Sequence, residues 1–592
     1  MKNYKTVRIG IIVSAVLVLI VFRLPSVQEL VLELGENIKG TPLRNPDKWI
    51  GKINSISYLF AMISVSIFFT LNNCIRFRRP VEVDSLKDPV KKFCLNFPNF
   101  IVNNIPLVLF ISLVALVIHG IKLGEQVIPI DTEFWLEDRT MNWKVIGRFS
   151  LILLQGVTTY MGQNLYLVNF FTIFFLITSV LSWCYLLNVV TGWDNKFAYF
   201  AFSLVYCICP IWVDILYFTC LSLEVALVMT LIPVVVYLSF IGLTSKYHFF
   251  IIWGCIILSV ITGVYQSLLV VFCCGLLICF FFFCMSDKFS PKNIRKVFFK
   301  GVICIMTATL CYFVIDKLLQ QFIFKASASD YLVNQSNISI LHICAAIPVY
   351  FDRLLDNWPM ELMLICLLFP ALFIQEFFSK ESGWGKIVVF LIVMTMFAFP
   401  LVTGGGTSFR VQLMEPIVMG FTAFLVFGRM GNGRKILKCI FIGICLLQIQ
   451  DSSLVNYTDY LRYQQDKMVA YDIHRELQSQ KCGDLPVILY GEYSPHYFVD
   501  YKVSEVAGHS IFEWTDDKDF KDSTTRGLLF MRSLGYEYHS TNDVTLIQKA
   551  RSAAESMNDY PKPGFVQNLG DVVVIRLSET SYMEDTNKKN PQ

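Results

Sequence analysis

For its first 450 residues the chain alternates long apolar runs with short polar breaks, and then its character changes. Runs near the roughly 20 apolar residues that cross a bilayer predict about 13 spans. They fall near 8–22, 54–74, 104–121, 165–190, 197–214, 219–242, 248–264, 267–286, 301–319, 361–378, 386–403, 411–428 and 435–449. Residues 457–480 read as a separate amphipathic helix, and Asp484–Tyr490 and Gly570–Leu577 as short buried strands. The predicted organisation is two helices and a basic loop over 1–100, a helical core over 101–450, and a small α/β domain over 451–592. The fold class expected is a polytopic α-helical membrane protein.

Composition agrees with the pattern. Hydrophobic residues make up 55% of the 592 and charged residues only 16%, below the quarter usual in soluble chains. Ile9–Phe22 follows Lys2, Lys5 and Arg8 without a small-residue cleavage site, so it reads as an uncleaved first helix. The basic residues then orient the bundle. Lys2/Lys5/Arg8, Arg76/Arg78/Arg79, Lys87/Lys91/Lys92, Lys246, the Lys288–Lys300 cluster, Lys380/Lys386 and the Arg429–Lys438 cluster all fall on one side. The positive-inside rule makes that side cytoplasmic. The loops opposite, and the C-terminal domain after an odd number of spans, are expected outside. The distribution points to membrane orientation and gives no nucleic-acid footprint.

Metal and nucleophile motifs are sparse. Nearly all of the 18 Cys lie in apolar spans, including the Cys207/Cys209 pair, which reads as core packing. The seven His show no ligand spacing, no GxSxG occurs, and Gly428–Arg434 is a basic turn without nucleotide-loop spacing.

Chemistry concentrates in the first large outer loop. Asp131 and Glu133 are two apart, so in an extended loop both carboxylates point the same way, and either can take a proton from a sugar hydroxyl. Trp135 and Trp143 offer flat apolar faces to a sugar ring or to the membrane interface. Arg139 and Arg148 can fork onto a phosphate. The apolar stretch Val145–Met161, carrying Arg148 and Gln155, resembles an interfacial helix. Tyr265-Gln266-Ser267 sits at a tight outer turn, where it either caps two helices or bonds a head group. Gly404, Gly405 and Gly406, followed by Arg410, suit an anion. Asp214 after Pro210 is a helix cap or a second carboxylate in the cleft. Asp352, Arg353 and Asp356, near Trp358, read as an interfacial segment, and Glu224 should face the bundle.

These residues together resemble a known family. An early acidic loop, then Gly147-Arg148, then Tyr265-Gln266 at an outer turn, with Pro210, Asp214 and Arg410 later, looks like the bacterial O-antigen glucosyltransferases of the serotype-converting Gtr type II group, within the GT-C membrane glycosyltransferases. The resemblance covers roughly residues 100–450. The chain departs from the family's pattern in that Thr132 separates the two acids and two helices precede residue 100. The resemblance implies a polyprenyl-phosphate-linked sugar donor, often glucose, and transfer to a surface glycan outside the bacterial cytoplasmic membrane. A polyprenyl-phosphate glycosyltransferase and a small flippase are the partners such a donor calls for. On this reading Asp131 or Glu133 is the base in an inverting transfer, and Arg148, Arg410 or both hold the leaving phosphate, with Arg139, Trp135, Asp214, Tyr265 and Gln266 lining the substrate site. No cofactor is required, although Asp131, Glu133 and Asp214 suit Mg²⁺ or Mn²⁺. The alternatives are another lipid-linked-sugar transferase, a glycan polymerase or ligase, or a lipid or glycan transporter, which should show inverted repeats.

Overall fold

A computed structural model describes residues 24–39, 89–138, 143–158, 164–245, 247–284, 291–325, 383–402, 408–429, 435–499, 501–514 and 524–578, with isolated positions elsewhere. The expected first two spans and the 361–378 span lie largely or wholly outside the described residues, as do Arg139, the three glycines 404–406 and the Asp352–Trp358 segment.

Helices dominate. They are α1 (Pro25–Lys39), α2 (Pro89–Asn103), α3 (Ile105–His119), α4 (Ile121–Gly124), α5 (Thr132–Glu137), α6 (Phe149–Thr158), α7 (Leu165–Thr191), α8 (Lys196–Ile208), α9 (Ile211–Tyr217), α10 (Thr219–Thr244), α11 (Phe249–Thr262), α12 (Leu268–Cys284), α13 (Pro291–Leu319), α14 (Gly383–Val402), α15 (Glu415–Arg429) and α16 (Lys435–Ser479). After them come β1 (Val487–Tyr490), α17 (Thr524–Ser533), α18 (Val544–Ala554), β2 (Val566–Asn568) and β3 (Val573–Arg576).

Among the described residues, four helices are long and apolar enough to cross a membrane, or six if each bent pair counts as one span. The 13 windows read from the sequence cover the whole chain, including the three that lie largely or wholly outside the described residues. Five of the apolar runs form helices of only 10–17 residues, and α8–α9 break by 46°. Pro210 explains that break, because it lacks the N–H that would continue the α8 ladder. The long helices pack through small polar contacts: Thr172 to Ser222 (3.2 Å) and Thr178 to Thr230 (3.2 Å) join α7 to α10. Apolar side chains are left outward on α3 (Leu109, Leu113, Leu116) and α13 (Met306, Leu310, Phe313) at helical spacing, as a lipid-facing stripe requires.

The expected break between a last span near 449 and a second helix at 457 is absent. One helix, α16, runs 45 residues, about 67 Å at 1.5 Å per residue. Its apolar first half lies in the bundle, and its polar half continues into the C-terminal region without interruption. The polar residues survive burial because they are paired. Arg462 is fully buried between Asp459 (2.6 Å) and Asp466 (3.0 Å) and donates to the Ile128 carbonyl (3.3 Å). Asp466 in turn accepts from the Ser510 hydroxyl (2.6 Å) and the Ile511 N–H (3.1 Å). This network ties α16, the loop before α5 and the C-terminal region into one body.

The C-terminal sheet has order β1-β3-β2, with β1 parallel and β2 antiparallel to β3. The two strands expected from the sequence are β1 and β3; β2 is short and two of its three residues are exposed, so it carried little pattern. Alternation sorts the faces. Ile488, Val572 and Val574 pack with Ile547 and Ala550 of α18, while Leu489 joins Leu528 and Phe530 of α17 in the main core. At Gly527 an added Cβ would meet Phe512 and Leu489 at 3.0–3.1 Å, so glycine lets α17 lie close to the sheet.

Truncating one partner of a buried ion pair costs about 3–5 kcal/mol. Arg462→Ala is therefore expected to lower the thermal unfolding midpoint of the purified chain clearly, and an unchanged midpoint would show that the junction does not depend on this network.

Candidate active site

The acidic loop is not extended. Asp131 takes a left-handed backbone (φ 68) and precedes the short helix α5, in whose first turn Glu133 lies. Both carboxylates still converge, because one guanidinium bridges them. Arg526 of α17 donates to Glu133 Oε1 (2.5 Å) and to Asp131 Oδ1 (3.2 Å), and its guanidinium lies 4.9 Å from the Phe134 ring centroid. Arg532, almost two turns on, donates to Glu137 (2.7 Å). The two acids differ in access. The Glu133 side chain is fully enclosed, and its Oε2 has no hydrogen-bond partner among the described residues. The Asp131 side chain is 27% exposed. Burial pushes the Glu133 carboxyl up to about 7, helped by the neighbouring Asp131 charge and opposed by Arg526.

Gly147-Arg148 and Tyr265-Gln266 meet as one unit. Gly147 has φ 76, and an added Cβ would collide with the Tyr312 hydroxyl, so only glycine fits there. Gln266 donates from Nε2 to the Ile146 carbonyl (2.7 Å), and the Tyr312 hydroxyl donates to the Gly147 carbonyl (3.1 Å). The Ser150 N–H donates to the Gly263 carbonyl (3.0 Å). So held, the partly exposed Arg148 guanidinium sits 4.9 Å from the Trp143 ring and 4.7 Å from the Tyr265 ring. Tyr265 thus supports Arg148 and Gln266 holds the backbone before it, while their carbonyls accept from the Leu268 and Leu269 N–H groups at the start of α12.

A third patch forms where the segment around Ser504 meets the bundle. Asp214 is buried inside α9 and accepts from the Ser504 hydroxyl (2.6 Å), so it is not a helix cap. Glu505 accepts from the Phe409 N–H (2.6 Å) and the Ser408 hydroxyl (2.9 Å). Next to them Arg410 lies 3.5 Å from the Phe218 ring centroid. Lys122, buried and 3.9 Å from Asp459, also acts electrostatically on Asp214.

The three patches surround the start of α10. Asp131, Glu133, Arg148 and Arg410 all lie within electrostatic reach of Cys220 at the start of α10, which puts them at the same end of the bundle. Gln155 of α6 donates to the Cys220 carbonyl (2.6 Å). Glu224, one turn deeper, faces inward and accepts from Thr158 (3.0 Å), as expected. Carboxylates and cations gathered at one end of the bundle can between them accept a proton and hold an anion.

Some expectations fail. Trp135 and Trp143 are both buried, so neither offers an open ring to a sugar or to lipid: Trp135 is core, and Trp143 supports Arg148. The carboxylates do not suit a divalent metal either. Asp131 and Glu133 share Arg526, Asp214 is bonded to Ser504, and no group of three His, Cys, Asp or Glu converges among the described residues. Arg526, Ser504, Glu505 and Lys122 were missed. Arg526 lies 393 positions from Glu133 in an unremarkable soluble helix, and no local pattern marks it.

The Glu133 carboxyl, pushed by burial from the ordinary 4.5 up to about 7, holds its proton more tightly in the folded chain. The resulting stability is full below pH 4.5 and is lost as pH rises through 7. Relative to Glu133→Gln, which stays neutral, the parent chain should lose stability between those pH values and then level off. Unfolding midpoints of both chains from pH 5 to 8 read this difference, and parallel curves would contradict it.

Comparison with known proteins gives the site its context. The family model for "Glucosyl transferase GtrII" matches residues 123–430, which takes in Asp131, Glu133, Arg148, Asp214, Tyr265, Gln266 and Arg410 and stops before Arg526. No curated protein and no solved structure matches. With more than half of its length matched, the chain belongs to the GtrII glucosyl transferase family and is a glycosyltransferase.

Proposed function

We propose that the protein transfers a hexose, glucose, from a polyprenyl-phosphate-linked donor to a surface glycan, with inversion, on the outer side of the bacterial cytoplasmic membrane. The observation that carries this reading is that the carboxylate pair Asp131/Glu133, held by Arg526, shares one end of the bundle with the ring-supported cations Arg148 and Arg410. The positive-inside reading of the basic loops supports an outer position for that end of the bundle. Nucleotide sugars are not expected there, and a lipid-linked donor reaches it through the bilayer.

In this mechanism an acceptor hydroxyl approaches the anomeric carbon and gives its proton to the Asp131 carboxylate. The new C–O bond forms as the anomeric C–O bond to phosphate breaks, and the electron pair leaves with the polyprenyl phosphate. Asp131 serves as the base because its side chain is open to solvent while that of Glu133 is enclosed. Arg148 and Arg410 face the growing phosphate charge. Each is already oriented by aromatic rings, so little reorganisation is needed as that charge develops. Arg526 is a positioning residue: it holds Asp131 beside the acceptor path and neutralises Glu133.

The test is transfer by purified protein from polyprenyl-phosphate glucose to a surface-glycan acceptor. Loss of a general base typically lowers the rate about 10²–10⁴-fold, so Asp131→Asn should fall in that range. Arg526→Ala should lower kcat with little change in KM for the donor. Full activity of both Asp131→Asn and Glu133→Gln would refute the acidic-loop assignment. Consumption of a pyrophosphate-linked oligosaccharide in place of the monophosphate donor would favour a polymerase or ligase.

A further inference from the structure

A cavity of about 330 Å³ lies between α10, α12, α13 and α14, away from the transfer site. Phe240, Leu276, Phe280, Val302, Ile305 and Leu391 are among its walls, which hold no charged side chain. On α10, Phe240 stands 20 residues beyond Cys220, about 30 Å of helix, so the cavity reaches toward the opposite end of the bundle. It opens sideways, because Val302 of α13 and Ala398 of α14 are both exposed. That opening is at lipid depth. α13 is long and apolar enough to cross a membrane, and Ile303 and Met306, next to Val302 and Ile305, are exposed on the same turns.

The first turns of α13 supply charge at one end of this opening. Lys292, Arg295 and Lys296 are exposed there, and the half-buried Lys300 follows one turn later. Arg295, Phe298 and Val302 are spaced i, i+3, i+7 and so share one helix face, which puts Arg295 at the mouth of the cavity. Just inside it Phe298 packs on Phe280 and on Trp384, with ring centroids 5.6 Å apart in both pairs. From Arg295 to Ile305 is about 15 Å of helix, half of the roughly 30 Å hydrocarbon core and thus the depth of one leaflet. An apolar channel one leaflet deep, with cations at its surface end, is complementary to an acyl chain that carries a negative headgroup.

We infer that this cavity takes an acyl chain of an anionic phospholipid from the leaflet on the side of the basic loops. Its phosphate lies at Arg295 and the neighbouring lysines. The tail of a polyprenyl donor held at Arg148 and Arg410 would use none of these cations. The inference rests on the bundle's lying in a membrane and does not depend on the identity of the sugar donor.

The test uses the full chain in vesicles of phosphatidylethanolamine and phosphatidylglycerol, with a diazirine on the acyl chain of one lipid or the other. After illumination, adducts are mapped by mass spectrometry. The phosphatidylglycerol probe should label residues 297–305 and 391–398 more than the phosphatidylethanolamine probe does, while the outward Leu310 and Phe313 of α13 take both equally. Gly301 lines the cavity, and an added Cβ would meet Leu243 and Leu276 at 3.6 Å, an ordinary contact, so Gly301→Leu should fill the space and abolish the cavity adducts. Arg295→Gln changes an exposed side chain and keeps the test open if Gly301→Leu does not fold. It should weaken labelling by the anionic probe about fivefold and leave the other probe unchanged. Equal labelling of the cavity by both probes, adducts that survive a folded Gly301→Leu chain, or their displacement by added polyprenyl phosphate would overturn the inference.

Discussion

Two carboxylates two residues apart at the mouth of an apolar bundle need a cation before both can carry charge. Arg526 supplies it to Asp131 and Glu133 together, from a helix outside the family-matched region. The rest of the outer architecture bears on where that guanidinium lies. The sheet sets the pose of α17, α16 carries the sheet out of the bundle, and Arg462 locks α16 to the loop that becomes α5. The acidic loop is thus held from behind by Arg462 and from in front by Arg526.

The opposite side of the site is organised by different means. Arg148 and Arg410 rest on aromatic rings, whose faces attract and orient a guanidinium. A cation held in this way is suited to an anion that gains charge during reaction, since donors fixed in advance favour the transition state over the ground state. Burial of Glu133 adds a constraint: near neutral pH its charge is divided between two states, so the grip of Arg526 on the loop is tuned to pH.

Sequence patterns reached the site unevenly, for physical reasons. Asp131, Glu133, Arg148 and Gln266 stand out because charge and amide groups are expensive in an apolar chain, and the structure brings them to one end of the bundle with Arg410. Arg526 and Ser504 escaped because they belong to a soluble region where such residues are ordinary, and only the tertiary fold joins them to the bundle. The continuous α16 was hidden for a related cause. Asp459, Arg462 and Asp466 read as a solvated helical face, whereas in the fold they neutralise one another in the interior. Among the described residues an apolar run of spanning length can also fold as a short or broken helix, as at Pro210, so length alone does not mark a span.

The most direct test of the proposed transfer site is a cryo-electron microscopy structure of the full chain with a polyprenyl-phosphate sugar bound. The expected result is a sugar whose anomeric carbon faces Asp131, with the phosphate between Arg148 and Arg410 and the lipid tail leaving along the bundle. A donor bound at the end of the bundle that carries the basic loops, with its phosphate remote from both arginines, would contradict it.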